Sequence, residues 1–194
     1  MASHEMDYVI TATTDCHMRL KEPGGTTRQV TVHAGEAYGP RSIWKAVQYC
    51  GAERLGHGIR IMEDMELTSD GDRQLGRLAH FLRDRRIPLE VCPTSNVNTG
   101  VVDKIADHPI AELIDLRFRV TPTTDNRLMS GVSMTSEMAA LVDAFGYGWD
   151  RLRWLTVNGM KSSFLPFRER LQLIEQVIKP RYAPLEASAQ DLRA

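Results

Sequence analysis

The sequence predicts an α/β protein in which strand–helix units repeat around a parallel sheet. From Arg28 onward, short apolar runs alternate with longer stretches whose apolar residues recur at helical spacing. Four such units can be counted, and polar residues follow every predicted strand. A chain of 194 residues is long enough for one domain with a sizeable core, and 42% hydrophobic with 25% charged residues is an ordinary globular composition.

Strands are predicted where apolar runs are short and are bounded by polar or turn-forming residues. They cover residues 30–33, 54–61, 87–92 and 118–124. Helices are predicted where apolar residues share one face and a cap or stop is available. They cover residues 42–50, 73–83 and 110–115, a segment beginning near Ser133, and residues 149–163 and 166–178.

Local signals set the ends of these helices. Gly51 provides a stop for the first helix, and Asp70 or Asp72 is available to cap the second. Gly146 breaks the helix that begins near Ser133, and Pro180 ends the last predicted helix. The buried stripe of the helix that begins near Ser133 is expected to consist of Met134, Met138, Leu141, Val142 and Phe145.

Three regions of the chain are distinguished. Residues 29–186 form the α/β region, and residues 187–194 form a tail, with fraying expected past about Tyr182. Residues 1–28 are an atypical N-terminal segment without a helical stripe. Within it, residues 8–14 can form a strand, and the Pro-Gly-Gly run at 23–25 is a turn signal.

Charge and cysteine content exclude several classes of protein. A net charge of -1 gives no broad attraction to nucleic acid or to an anionic membrane, so a small, nearly neutral ligand fits better. Cys16, Cys50 and Cys92 contain no CxxC pair, which argues against a disulfide framework and a thiolate metal cage. No apolar run approaches the roughly 20 residues of a membrane span. We therefore expect a cytoplasmic protein.

The predicted strands deliver ionisable side chains at their ends. The run Val-Thr-Val-His-Ala-Gly-Glu places His33 three residues before Glu36, and the run Arg-Leu-Gly-His-Gly places His57 after the second strand. The fourth strand leads to Asp125. In an α/β enzyme, the end of a buried strand is where a metal ligand and a proton donor are placed.

These three segments, together with the run Leu-Glu-Val-Cys-Pro-Thr-Ser-Asn at 89–96, resemble the C-terminal half of the adenosine deaminase family of zinc-dependent purine deaminases. The resemblance implies a metal-dependent hydrolase that converts adenosine and deoxyadenosine to inosine and deoxyinosine plus ammonia. It also implies Zn²⁺ as the cofactor and a purine nucleoside as the substrate. The family fold is an eight-stranded (β/α) barrel. We therefore expect a partial TIM-type barrel of about four C-terminal βα units.

The resemblance also assigns roles to individual residues. It implies that His33 and Asp125 ligate zinc and that Glu36 protonates the purine ring nitrogen. It also implies that His57 positions and deprotonates the attacking water. Asn126 stands where the commonest family pattern has a second Asp, and its amide NH₂ can donate to an unprotonated purine imidazole nitrogen.

Each of these residues also has a structural interpretation. His33 and His57 can be hydrogen-bonded strand-end residues, and Glu36 can lie in the first turn of the following helix, where its charge suits the helix dipole. Asp125 can cap the loop before Arg127. The occurrence of four motifs in family order favours the functional interpretation.

The segment 93–96 can be a strand-ending turn, although the resemblance implies that it lies near the site. The remaining histidines match nothing in the family pattern and are expected to be solvated: His4, His17, His80 and His108.

One family motif is absent. The family binds zinc through a His-x-His pair on its first barrel strand, and no HxH occurs in the 194 residues. A catalytic zinc ion normally has three protein ligands, whereas His33 and Asp125 supply two. Three explanations remain open. The other ligands come from another polypeptide, the chain is a piece of a longer enzyme, or it no longer catalyses the reaction.

Two alternative functions follow. One is a deaminase of adenine or another aminopurine. The other is a non-catalytic fragment that associates with itself or with a partner chain through an open sheet edge, because four parallel strands without their barrel partners leave unpaired edges.

Overall fold

Strands and helices are assigned within residues 29–191, the part of the chain that the computed structural model describes. The strands are β1 (Thr31–Ala34), β2 (Arg54–His57), β3 (Met65–Leu67), β4 (Arg73–Leu75), β5 (Leu89–Val91) and β6 (Val120–Pro122). The first α-helices are α1 (Pro40–Gln48), α2 (Arg77–Asp84), α3 (Pro93–Asn98), α4 (Ile110–Asp115) and α5 (Arg127–Ser130). They are followed by α6 (Met134–Phe145), α7 (Trp149–Ser162), α8 (Phe167–Leu173) and α9 (Lys179–Asp191).

The chain divides into two compact units. Among the described residues, the first contains those up to Val91 together with Glu112–Arg119, and the second contains Cys92–Ala111 and those from Val120 to Asp191. The predicted strand at 8–14, the turn at 23–25 and the residues His4, Cys16 and His17 lie outside the described residues. No helix within residues 29–191 is both long and apolar enough to cross a lipid bilayer.

The first unit is built on parallel strands. β1 pairs with β2 and β2 pairs with β5, both in the parallel sense that the repeated strand–helix pattern predicts. Buried apolar side chains from the strands and from the helices beside them form its core. Fully buried members include Ile43, Leu55, Leu82, Leu89, Leu113 and Phe118.

The predicted second strand is too long at its C-terminal end. β2 stops at His57, because His57 and Gly58 both adopt left-handed conformations, with φ of 63° and 70°, and a 3₁₀ helix then covers Ile59–Asp64. A strand cannot continue through a left-handed residue. The apolar residues Ile59 and Ile61 that suggested a longer strand are instead buried in this 3₁₀ helix.

The predicted helix over 73–83 is wrong in its first turn. Arg73–Leu75 is strand β4, which pairs antiparallel with β3. The helix begins at Arg77, and neither Asp70 nor Asp72 is its N-cap residue, which is Gly76. A side-chain cap comes instead from Asp64, whose Oδ2 accepts a hydrogen bond from the Ala79 N–H at 2.8 Å.

The second unit contains β6, which is shorter than the predicted strand over 118–124, and helices α3 and α5 to α9. The helix predicted to begin near Ser133 is α6. Ser133 caps it by accepting a hydrogen bond from the Ser136 N–H, and Gly146 ends it, as predicted. Leu141 of the expected stripe is buried, but Met134 is exposed, so the stripe is wrong at that residue. The polar residue Glu137 is buried in its place.

The C-terminal helix is longer than predicted. A π-helical turn covers Ile174–Ile178, and α9 continues directly from it to Asp191, so neither Pro180 nor the expected fraying ends it. Pro180 is the second residue of α9, directly after the π-helical turn. Two contacts stabilise α9 on α7, namely the Arg153–Glu186 ion pair at 2.6 Å and the Thr156–Tyr182 hydrogen bond at 2.8 Å.

Candidate active site

Two predicted site histidines lie side by side at the C-terminal ends of β1 and β2. The parallel register pairs His33 with Gly56 and Ala34 with His57. The two imidazole rings have centroids 5.3 Å apart and planes inclined by 52°. Each ring offers a nitrogen, and these two nitrogens lie within 4.8 Å of one another. The first unit therefore brings His33 and His57 together, as predicted for strand-end residues of a parallel sheet.

Gly56 provides the space for the His33 ring. A Cβ atom at position 56 would lie 3.1 Å from His33 Cγ and 3.2 Å from His33 Cα, which is tighter than most Cβ contacts. Any residue larger than glycine at this position therefore displaces His33 or its ring. The Gly in the Arg-Leu-Gly-His-Gly run is thus part of the site.

His57 contacts Glu36 directly. His57 Nε2 lies 3.3 Å from Glu36 Oε2, with the imidazole 1% exposed and the carboxylate side chain 24% exposed. His57 also adopts a left-handed backbone conformation with φ of 63°. A non-glycine residue in this region is uncommon, and such residues cluster at active sites, where the surrounding structure holds them.

Glu36 lies in a bend between β1 and α1. The bend is fixed at Gly35, whose N–H donates to Ser42 Oγ at 2.9 Å and whose carbonyl accepts from the Arg60 N–H at 2.9 Å. The Arg60 guanidinium also donates to the carbonyl of Ala37 at 2.7 Å. Since α1 begins at Pro40, the structural interpretation of Glu36 as a first-turn helix residue is wrong.

Asp125 belongs to the second unit, where it follows β6. Its backbone is left-handed, with φ of 51°, and its Oδ2 accepts a 2.7 Å hydrogen bond from the buried Ser95 hydroxyl. Asp125 does not cap the following helix. The N-cap of α5 is Asn126, whose Oδ1 accepts a hydrogen bond from the Met129 N–H at 3.2 Å. Asn126, not Asp125, is therefore the N-cap residue of α5.

The segment after β5 is a short helix rather than a simple turn. α3 covers Pro93–Asn98 and presents Ser95 to Asp125. A cavity of about 570 Å³ lies in the second unit beside these residues. Its lining consists of Ser95, Asn98, Thr99, Asp125, Asn126, Met129 and Ser130.

One of the histidines expected to be solvated is buried. His108 is only 2% exposed; its Nε2 lies 3.2 Å from Asn96 Oδ1, and its Nδ1 accepts from the Ile110 N–H at 3.0 Å. His80 is exposed, as predicted. Ser95 and Glu137 were not predicted to belong to the site. Ser95 lies in the Pro-Thr-Ser-Asn run, and this position was a signal that it could have a role. Glu137 is an acidic residue inside an apolar helix, and this position gave no such signal.

Comparison with known proteins decides the family. The adenosine deaminase family model matches residues 14–180. The chain belongs to the adenosine deaminase family. The members of this family are hydrolases. The division of this chain at residues 28 and 186 stays a prediction.

A curated relative in the adenosine deaminase family is the adenosine deaminase of Mycolicibacterium vanbaalenii, which is 61% identical over 155 residues. The match covers 80% of this chain and 43% of that enzyme. The chain therefore spans less than half the length of this relative.

Solved structures confirm the predicted partial (β/α) barrel. The adenine deaminase of Arthrobacter aurescens is 28% identical, with a TM-score of 0.72 over 86% of this chain and 46% of that one. An amidohydrolase from Burkholderia ambifaria, solved with bound Zn, has a TM-score of 0.66 over 82% of this chain and 42% of that one. At 22% identity, the second comparison bears on the fold alone.

Proposed function

We propose that this chain carries part of the catalytic machinery for zinc-dependent hydrolytic deamination of adenosine and deoxyadenosine. The products are inosine or deoxyinosine and ammonia. The observation that carries the proposal is the contact between His57 and Glu36 beside His33, at the ends of parallel strands in a member of the adenosine deaminase family.

The donor chemistry fits zinc. Imidazole nitrogens and carboxylate oxygens are ordinary zinc ligands, and two imidazole nitrogens lie within 4.8 Å of one another in the first unit. We assign His33 and Asp125 as ligands. When bound, zinc lowers the pKa of a coordinated water to about 7 and so supplies a nucleophile at neutral pH. His33 and Asp125 are two of the three protein ligands that a catalytic zinc ion normally has, and no His-x-His pair occurs among the 194 residues to supply the third.

Glu36 and His57 handle the protons in this proposal. A carboxylic acid at Glu36 donates a proton to the purine ring nitrogen as charge develops there. Its side chain is partly exposed, so a substrate can reach it. His57 accepts the proton of the attacking water. Because Nε2 of His57 lies 3.3 Å from the Glu36 carboxylate, the two groups also keep one another oriented.

Asn126 is proposed to contact the purine. Its oxygen accepts the Met129 N–H in the helix cap, and this contact fixes which end of the amide is the NH₂ group. That NH₂ can donate to a purine imidazole nitrogen. Asn126 also lines the 570 Å³ cavity.

Adenine is the second candidate substrate. The observation that favours it is the similarity to the Arthrobacter aurescens adenine deaminase. Ammonia release from adenosine, deoxyadenosine, adenine and adenosine monophosphate, measured with one equivalent of zinc, separates these substrates. Faster release from adenine than from adenosine would reassign the substrate. Absence of ammonia from all four, with zinc bound, would refute the deaminase proposal.

A cytoplasmic location is part of the proposal. Cys50 and Cys92 are buried free thiols, as a reducing compartment allows.

Association through a sheet edge also stays a prediction. Among the residues that the structure describes, β1 is a terminal strand of its sheet. A sedimentation coefficient that does not change with protein concentration would argue against self-association through this edge.

A further inference from the structure

Helix α3 is held at three consecutive residues of the second unit. The Thr94 N–H donates to Glu137 Oε2 at 3.2 Å, and the Ser95 hydroxyl donates to Asp125 Oδ2 at 2.7 Å. Asn96 Oδ1 lies 3.2 Å from His108 Nε2. A helix of six residues has little stability by itself. The direction in which Ser95 points therefore depends on the contacts at Thr94 and Asn96.

The His108 ring has a defined protonation pattern. Its Nδ1 accepts the backbone N–H of Ile110, so the proton of the neutral ring lies on Nε2 and is donated to Asn96. The ring is 2% exposed and Asn96 is 0% exposed, which removes competition from solvent. The Asn96 backbone carbonyl additionally accepts from the Val101 N–H at 2.9 Å.

Glu137 is an unusual residue for the interior of α6. It is 1% exposed, and its Oε1 is buried without a hydrogen-bond partner within the described residues. Burying a polar atom without a partner costs free energy. An apolar residue at position 137 would avoid this free-energy cost. The hydrogen bond that the other carboxylate oxygen accepts from the Thr94 N–H explains why an acidic residue occupies the position.

We propose that Glu137 and His108 are positioning residues for Asp125, acting through α3 and the Ser95 hydroxyl. Fixing one carboxylate oxygen of Asp125 fixes the direction of the other. Groups that orient a ligand in this way change metal affinity by about 10–100-fold when they are removed. The part of this inference that concerns metal affinity rests on the proposed function.

Paired variants test the role of His108. His108→Asn keeps an acceptor for the Ile110 N–H but is too short to reach Asn96, whereas His108→Gln carries an amide NH₂ that reaches Asn96. We expect the Ser95 Oγ to Asp125 Oδ2 distance to exceed 3.5 Å in metal-free crystals of the first variant. In the second variant, it stays near its present 2.7 Å. The zinc dissociation constant rises about tenfold or more in His108→Asn and is restored in His108→Gln.

A second pair tests Glu137 independently of His108. Glu137→Met removes the acceptor for Thr94 together with the unpartnered oxygen, and Glu137→Gln keeps an acceptor. We expect Glu137→Met to lengthen the Ser95–Asp125 distance and to weaken zinc binding. Its free energy of unfolding, measured in urea, stays close to that of the unmodified chain. A purely structural role for Glu137 would instead lower stability without lengthening the distance.

The outcomes separate the two proposals. An unmodified chain that binds no zinc contradicts the proposed function, and the Ser95–Asp125 distance in the variants still decides the positioning role. If both His108→Asn and Glu137→Met keep that distance within 3.5 Å, the positioning proposal is overturned. It is also overturned if the unmodified chain binds zinc and both variants bind it with an unchanged dissociation constant.

Discussion

His57 Nε2 lies 3.3 Å from Glu36 Oε2, although the two residues lie in different strand–helix units. The contact exists because β1 and β2 run parallel with Ala34 opposite His57, so both chain segments leave the sheet at the same end. A buried imidazole and a partly exposed carboxylate are thereby placed within reach of each other. The arrangement suits an exchange of protons with a substrate approaching from the exposed side.

The first prediction concerns His57. Replacement by Asn removes the imidazole while keeping a residue that tolerates the left-handed φ of 63°. We expect deamination to slow by about 10²–10⁴-fold, the usual contribution of a positioned general base. The rate of ammonia release at saturating zinc and adenosine measures this loss.

A matched control for His57 is Arg117→Asn. Arg117 is also left-handed, with φ of 66°, and is exposed. Ammonia release by Arg117→Asn is expected to equal that of the unmodified chain. Equal rates for His57→Asn and Arg117→Asn would show that the His57 imidazole has no part in the reaction.

The second prediction concerns the space beside His33. Gly56→Ala places a Cβ atom 3.1 Å from His33 Cγ and therefore displaces the ring. Because a displaced ligand loses metal affinity, we expect the zinc dissociation constant to rise about tenfold. Competition with a chromophoric chelator measures it.

Gly159→Ala is the control for Gly56→Ala. A Cβ atom at position 159 meets nothing within 4 Å, and the residue lies inside α7. The control is expected to leave zinc affinity unchanged and to stabilise the fold by about 0.5–1 kcal/mol. An unchanged dissociation constant in Gly56→Ala would mean that the His33 ring position does not matter for zinc.

The third prediction concerns the cap of α2. Asp64→Ala removes the acceptor of the Ala79 N–H and is expected to lower the free energy of unfolding by about 0.5–2 kcal/mol. Urea unfolding followed by circular dichroism measures the change. Glu66→Ala, at an exposed residue of β3, is expected to change it by less than about 0.5 kcal/mol. Equal effects of the two changes would argue against the cap.

The fourth prediction concerns Cys50. Burial raises the pKa of its thiol, so at pH 8 less of it is thiolate than in an exposed cysteine. In a Cys16→Ser, Cys92→Ser background, iodoacetamide is expected to label Cys50 slowly in the native chain and rapidly in guanidinium. Raising the pH speeds native labelling as the thiolate fraction grows. Labelling at the same rate in both solvents would contradict the burial of this thiol.

Much of the first unit could be predicted from sequence because its signals are local. The apolar run at β1 ends at the first site histidine, and α1 has a proline in its first turn and apolar residues on one face. The hairpin of β3 and β4 was missed for the opposite reason. Leu75 is followed by apolar residues at helical spacing, and only pairing with β3 places Arg73–Leu75 in a strand.

Site residues that belong to a sequence motif could be predicted, whereas residues whose role depends on a tertiary contact could not. His33 and His57 lie at the C-terminal ends of strands and Glu36 follows β1, and the structure brings these three together. The burial of His108 depends on Asn96, 12 residues away, and that of Glu137 depends on the packing of α3. Neither contact is marked by a periodic pattern of residues in the sequence. The continuation of α9 past Pro180 was likewise hidden, because it depends on packing against α7.

Ammonia release from adenosine by the zinc-loaded chain and by its Glu36→Gln variant tests the central claim most directly. Zinc content is measured in the same samples, and Glu66→Gln serves as the exposed control. We expect equal zinc content in all three samples. We expect the rate of ammonia release to be at least about 10²-fold lower in Glu36→Gln than in the unmodified chain and in Glu66→Gln. Equal rates in all three samples, or no ammonia from the unmodified chain with zinc bound, would contradict it.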